Sequence, residues 1–135
     1  MTSLDIVYAE VDASNLPLIG VRVVGPLTER GFTEYLVHLL EAIQLRERVV
    51  LRLHAGSLTV YPPRFVRKSV AWMKRHEATL TRHLAAVSIV MDSPVVRMAT
   101  QAMVWAARPS FPMVVKRTTA EADAWLLACL EGDSP

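Results

Sequence analysis

His76, Glu77 and His83 put two imidazoles and a carboxylate within one short stretch. A zinc-hydrolase helix needs its histidines four apart, with the acid directly after the first, so that both rings reach one ion. Here the separation is seven, which on a helix leaves the rings about 10 Å apart along the axis. His38 and His54 stand alone in sequence. Asp92-Ser93 sets an acid beside a hydroxyl, but Pro94 follows at once. That order marks a helix start, with the serine as cap and the acid favoured by the helix dipole. Cys129 is the sole cysteine. It has no Cys-x-x-Cys or Cys-His arrangement around it and suits the role of a small buried hydrophobe. There is no Gly-x-Ser-x-Gly or Gly-x-Gly-x-x-Gly, and "VVGPLTERG" lacks the lysine of a phosphate loop. No catalytic constellation forms, and neither a metal nor another cofactor is expected.

Charge is the stronger signal. Residues 1–60 carry five basic and seven acidic groups, residues 61–117 ten and two, and residues 118–135 none and four. A basic block therefore lies between acidic ends. Its densest part is a helix expected from Pro63 to about His83, where Arg64, Arg67, Lys68, Lys74, Arg75 and Arg82 face a lone Glu77. Val66, Val70, Met73, Leu80 and Leu84 make the apolar face, and Arg64, Arg67, Lys68, Arg75 and Arg82 follow helical spacing opposite to it. Such a stripe suits an acidic protein surface or an anionic lipid. Nucleic acid fits least. The acidic ends offset the block, and Trp72, Trp105 and Trp125 fall inside helices rather than on a stacking platform. The opposed charges of block and ends also allow a homo-oligomer.

These residues must be positioned by alternating elements. Residues 6–11 read as a strand, Asp12 to Asn15 as a turn, and Leu18 to Val24 as a second strand pairing antiparallel with the first. Thr28 caps a helix to about Glu47, with Phe32, Leu36, Leu39, Leu40 and Ile43 on one face. Val49 to Leu53 is a buried strand interrupted only by Arg52. His54 to Pro62 is a loop, and Pro63 opens the basic helix. Ala85 to Met91 is the next strand. Ser93-Pro94 starts a helix that Arg108-Pro109 stops. Phe111 to Lys116 is the last strand, and Thr118 with Glu121 forms a capping box for a final helix through Leu130. The order β-β-α-β-α-β-α-β-α implies one α/β domain over residues 1–135, with an opening hairpin and a largely parallel mixed sheet.

At 135 residues and 52% hydrophobic composition, the chain has the makings of one well-packed core. Its start lacks a basic region followed by an apolar run, and the longest apolar runs fall far short of a bilayer span, so a cytoplasmic location without a transmembrane segment is expected.

The hairpin leading into "VVGPLTERGFTEYLVHLL", the strand "VVLRLHAGS", the segment "SIVMDSPVVRMA" and the closing "FPMVVKRTTAEADAWLLACL" together resemble the SpoIIAA-like proteins. These have the STAS, or anti-sigma-factor-antagonist, fold in its broader form, and the resemblance covers nearly the whole chain. It implies a non-enzymatic regulatory module that binds a protein partner. It also implies a phosphorylatable serine at the start of the helix after the central strand, which here nominates Ser57, with Thr59 beside it. The family's Asp-x-Ser pattern is not present at His54-Ala55-Gly56-Ser57. By the same resemblance Ser57, Thr59, Arg64, Arg67, Lys68 and Arg75 form the contact surface. Relatives are also likened to lipid-binding CRAL-TRIO domains, which implies the alternative of a lipid or other small apolar ligand held in a cavity.

Overall fold

Alternation of small apolar and polar residues makes the first segment a strand with one wet face. In the computed structural model, which describes residues 9–23, 28–54 and 63–132 (the side chains of residues 63–66 excepted), β1 spans Ala9–Asn15 and β2 Leu18–Val23. They pair antiparallel, with Glu10 opposite Arg22 and Asp12 opposite Gly20. Asp12 to Asn15 is thus strand and not turn, and the chain reverses at Leu16 and Pro17. The turn-forming chemistry of Asp12 is present all the same. Its Oδ1 accepts from the Ser14 amide at 2.9 Å and from the Ser14 hydroxyl at 2.6 Å, on the exposed face where the ladder slips register.

Three parallel strands follow: β3 (Val49–His54), β4 (Leu84–Val90) and β5 (Met113–Lys116). The sheet order is β1-β2-β3-β4-β5. β4 is buried along its whole length, so both faces of the sheet must be covered there. On one face lies α5 (Thr119–Gly132), whose Leu126, fully buried, packs on Val50, Ala85 and Ala86. The opposite face carries α1 (Glu29–Ile43), α2 (Pro63–Arg75), α3 (Glu77–His83) and α4 (Pro94–Ala107). Phe32, Leu39 and Ile43 of α1, Leu80 of α3, and Ile19, Leu51 and Val87 of the sheet form the main core there.

The caps lie where the sequence signals put them. Thr28 Oγ1 accepts from the Gly31 amide at 3.1 Å, Ser93 Oγ from Val96 at 3.3 Å, and Thr118 Oγ1 from Glu121 at 3.1 Å. α1 ends at Ile43, short of Glu47, because Ile43 is its last buried side chain and the amides of Gln44 and Leu45 fold back on Glu41 and Ala42. α4 ends on Arg108 in the left-handed conformation, φ 49°, a position glycine usually takes.

The helix expected from Pro63 to His83 is two helices, divided at His76. The apolar spacing runs straight through the break, so periodicity cannot reveal it. Tertiary contacts set it. Leu80 is drawn into the core, and Arg48 Nη1 donates to the terminal carbonyls of Thr81 at 3.1 Å and Arg82 at 2.8 Å. The ring of His83 bonds the carbonyl of Arg46 at 2.9 Å. These fix α3 to the loop before β3. Leu84, expected on the helix face, opens β4 instead.

Truncating the core should cost far more than removing a cap. Phe32→Ala is expected to destabilise by about 3–5 kcal/mol and Ser93→Ala by about 1 kcal/mol, read as midpoint shifts in urea unfolding followed by circular dichroism.

Candidate functional site

α2 carries a face of each kind. Its inner side chains Ser69, Val70, Trp72 and Met73 are partly buried, whereas Arg67, Lys74 and Arg75 are exposed. Two devices hold this helix over the sheet. Trp72 and Met73 pack against the main core, and Lys68 Nζ meets Glu29 Oε1 of α1 at 2.6 Å. Both ends of that ion pair are largely exposed, so it steers more than it stabilises.

Beneath α2 the packing is incomplete. A half-open cleft of about 180 Å³ lies between α1, α2, α4 and the sheet, lined by Leu36, Val70, Trp72, Met103, Val104 and Met113 among others. Tyr35, Ser69 and Thr100 bring the only hydroxyls among the described lining, and no carboxylate, amine, guanidinium or imidazole is there. Such a wall binds by dispersion and by exclusion of water.

A different arrangement occupies the other face. Asp12, Gly20, Arg52, Ser88 and Val114 stand in register across all five strands. Arg52 lies over Gly20, where a Cβ would come within 2.8 Å of its Nη2. Its Nη1 donates to both carboxylate oxygens of Asp123 on α5, at 2.8 and 2.9 Å. Glycine at position 20 leaves the guanidinium room to reach across β2. The Asp12 carboxyl is held below its ordinary value by the Ser14 hydroxyl first, then by the Ser14 amide, with a smaller contribution from Arg52.

The residues expected at the contact surface divide accordingly. Ser57 and Thr59 lie outside the described residues, as does the side chain of Arg64. Arg67 and Arg75 are exposed on α2, while Lys68 is engaged with Glu29. Arg82 is exposed as well, but on α3 beyond the break at His76. Among the described residues no three His, Cys, Asp or Glu side chains gather as a metal site would require. None of the described helices is long and apolar enough to cross a membrane. Cys129 is partly buried against the α5 core, beside Leu126 and Trp125. The cleft was not legible in sequence because its wall comes from four helices, Leu80 of α3 included, and the sheet. The Arg52–Asp123 pair left one trace, a single charge inside an otherwise apolar strand.

No protein-family model matches the chain, and no curated protein matches it in sequence. Two solved structures match in fold. An uncharacterised DUF3478-family protein with a SpoIIAA-like fold from Shewanella loihica PV-4 superposes with a TM-score of 0.65 at 15% identity, over 87% of this chain and 91% of the other. The fold is SpoIIAA-like. An anti-sigma-factor antagonist (STAS) domain protein from Planctomyces limnophilus agrees, with a TM-score of 0.56 at 16% identity over 90% of this chain and 97% of its own. The strand order, the antiparallel opening pair and the helix that follows β3 are thus those of the SpoIIAA-like fold. Within it, the basic face of α2 and the cleft below are two features of the described residues that could receive another molecule.

Removing the Ser14 hydroxyl should release Asp12. Ser14→Ala is expected to raise the Asp12 carboxyl toward its ordinary 3.8, as followed by carboxyl NMR titration. Because the folded value is the depressed one, whatever Asp12 contributes to stability is present above 3.8 and is lost as pH falls through the folded value. The substitution should therefore weaken the acid dependence of unfolding, with a small loss of stability above 3.8, neutral pH included, and no change once the pH is below the folded value.

Proposed function

We propose that the protein is a non-enzymatic regulatory module that binds a protein partner through the loop after β3 and the outer face of α2, with Ser57, Thr59, Arg64, Arg67, Lys68 and Arg75 as its contact residues and Ser57 as a phosphorylatable hydroxyl. The observation that carries this reading is α2 itself. Arg67, Lys74 and Arg75 stand exposed with no ion pair among the described residues, on a helix whose inner face anchors it to the core. Fixed charges on a rigid element attract an acidic partner over distance and set its orientation. The likeness to an anti-sigma-factor antagonist domain adds an analogy of fold.

Charge reversal at Arg67→Glu/Arg75→Glu is expected to weaken partner binding at least tenfold while leaving the circular dichroism spectrum unchanged. Affinity of the wild type should fall with added salt. Ser57→Asp is expected to lose the partner without loss of fold. A partner retained by both variants in a quantitative pull-down removes this reading.

A specific observation favours a second reading. A cleft of about 180 Å³ with no charged group among its described lining residues is comparable to cavities of ~150 Å³ that take up a single aromatic ring. An uncharged apolar ligand of that size, or the end of a longer lipid chain, fits it. With Trp105→Phe and Trp125→Phe in place, Trp72 becomes the sole reporter at the cleft wall. Its emission should shift to the blue on titration with a short-chain alcohol or naphthalene, and organic extraction of the purified protein should release a bound lipid. Unchanged emission together with an empty extract excludes this reading.

A further inference from the structure

The outer side of α4 offers water nothing to bond. Every polar side chain between Pro94 and Ala107 turns back into the chain. Arg97 Nη1 donates to the carbonyls of Met91 at 3.2 Å and Asp92 at 2.8 Å. Thr100 Oγ1 donates to Met91 Sδ at 3.2 Å, and Gln101 Oε1 accepts the Val115 amide at 3.1 Å. Opposite them runs a stripe of Val95, Met98, Ala99, Ala102, Trp105 and Ala106, all exposed. Val95 is 77%, Met98 76% and Trp105 71% accessible. A surface helix normally carries charge on its outer face, and one that is apolar all round belongs in an interior. These side chains amount to roughly 500 Å² of contiguous apolar surface, the size of patch that marks an association site on a monomer.

We propose that this stripe is a homodimer interface, in which α4 packs antiparallel against α4 of a second copy across a twofold axis at Ala102. The occupant follows from the order of side chains. With Ala102 on the axis, Met98 falls opposite Ala106 of the partner subunit, Trp105 opposite Ala99 of the partner subunit, and Ala102 opposite its own equivalent. Each bulky group meets a small one, as a self-complementary surface requires. Charge agrees. The stripe bears none, so two identical faces meet without repulsion, whereas a lipid-facing helix would be lined by several bases; Arg97 within α4 is turned inward and Arg108 at its end is the one exposed base of the helix and its caps. Area agrees too. Two such patches with a polar rim reach the ~1,200–2,000 Å² of a specific interface. Gln101 meanwhile occupies the outward amide of Val115, which takes one group of the neighbouring β5 edge out of strand pairing.

The test is sedimentation equilibrium of the full chain over a concentration series, beside Ala102→Glu, which sets two carboxylates face to face on the axis. The wild type is expected at twice its 15.0 kDa chain mass, and Ala102→Glu is expected to raise the dimer dissociation constant about a hundredfold or more. Met98→Ser, milder at an exposed site, serves if circular dichroism shows Ala102→Glu unfolded. In a Cys129→Ser background, Ala102→Cys should form an intermolecular disulfide on mild oxidation, and Val37→Cys on the exposed part of α1 should not. A wild type that stays monomeric, or a dimer indifferent to both α4 substitutions, overturns the proposal. So does a monomer that floats with phospholipid vesicles, since the stripe is then a lipid surface. Neither Ala102 nor Met98 is among the lining of the cleft or on α2, so this outcome is distinguishable from that of the partner-binding test.

Discussion

The burial of β4 on both faces is the constraint that the rest of the molecule answers. A parallel strand with no wet side must have helices above and below it, and the crossovers that make it parallel deliver them. They are delivered unequally. Among the described helices α5 closes one face, over β3, β4 and β5 with Leu18 of β2 at its margin, and the β1–β2 hairpin keeps a polar outer side where Glu10 and Arg22 pair at 2.7 Å. The other face receives four helices. α1 and α3 sit down on the sheet through Phe32, Leu39 and Leu80, whereas α2 rests on Trp72 and Met73. The space left beneath α2 is the cleft, so the same crowding that completes the core also leaves it open at one place.

The single helix on the thin side is held by more than apolar contact. Arg52 leaves the middle of a buried strand, crosses the bare backbone of Gly20 and meets Asp123, 71 residues away. Side-chain exposures of 25% and 31% mean that solvent screens the pair, so its gross attraction overstates its net worth. Its geometric effect is clear. Without Asp123 that arginine would be a half-buried charge facing only Asp12, the exposed carboxylate in register with it, among the described residues on that face. The register of α5 is thereby tied to the register of β3.

How much of this was legible in sequence depended on how local the cause was. Thr28, Ser93 and Thr118 cap through groups three residues away, and all three were readable. Val49 to Leu53 and Ala85 to Met91 declared themselves by apolar runs too short for helices. Asp12 misled because a local hydrogen bond to Ser14 imitates a turn while the pleat continues through it. His76 misled in the opposite way. Nothing at that position breaks a helix, and the division comes from Arg48 and Arg46, which are remote in sequence. The basic face of α2 could be read from spacing, but the engagement of Lys68 with Glu29 could not. The fold resemblance rested on element order and survived these local errors, since a shifted boundary leaves the order unchanged.

The hydrogen bond from the Val115 amide to Gln101 has a consequence for the chain in company. β5 is the last strand of the sheet, and a terminal parallel strand offers an outward row of amides and carbonyls as a template for any extended segment nearby. Here the template is interrupted from within, by a side chain already fixed on α4. A folded chain in a crowded cell therefore offers a broken seam on that side to any neighbour that could be stitched into a growing fibril. That protection lasts only while α4 is docked, so loss of the helix would expose the edge as well as the core.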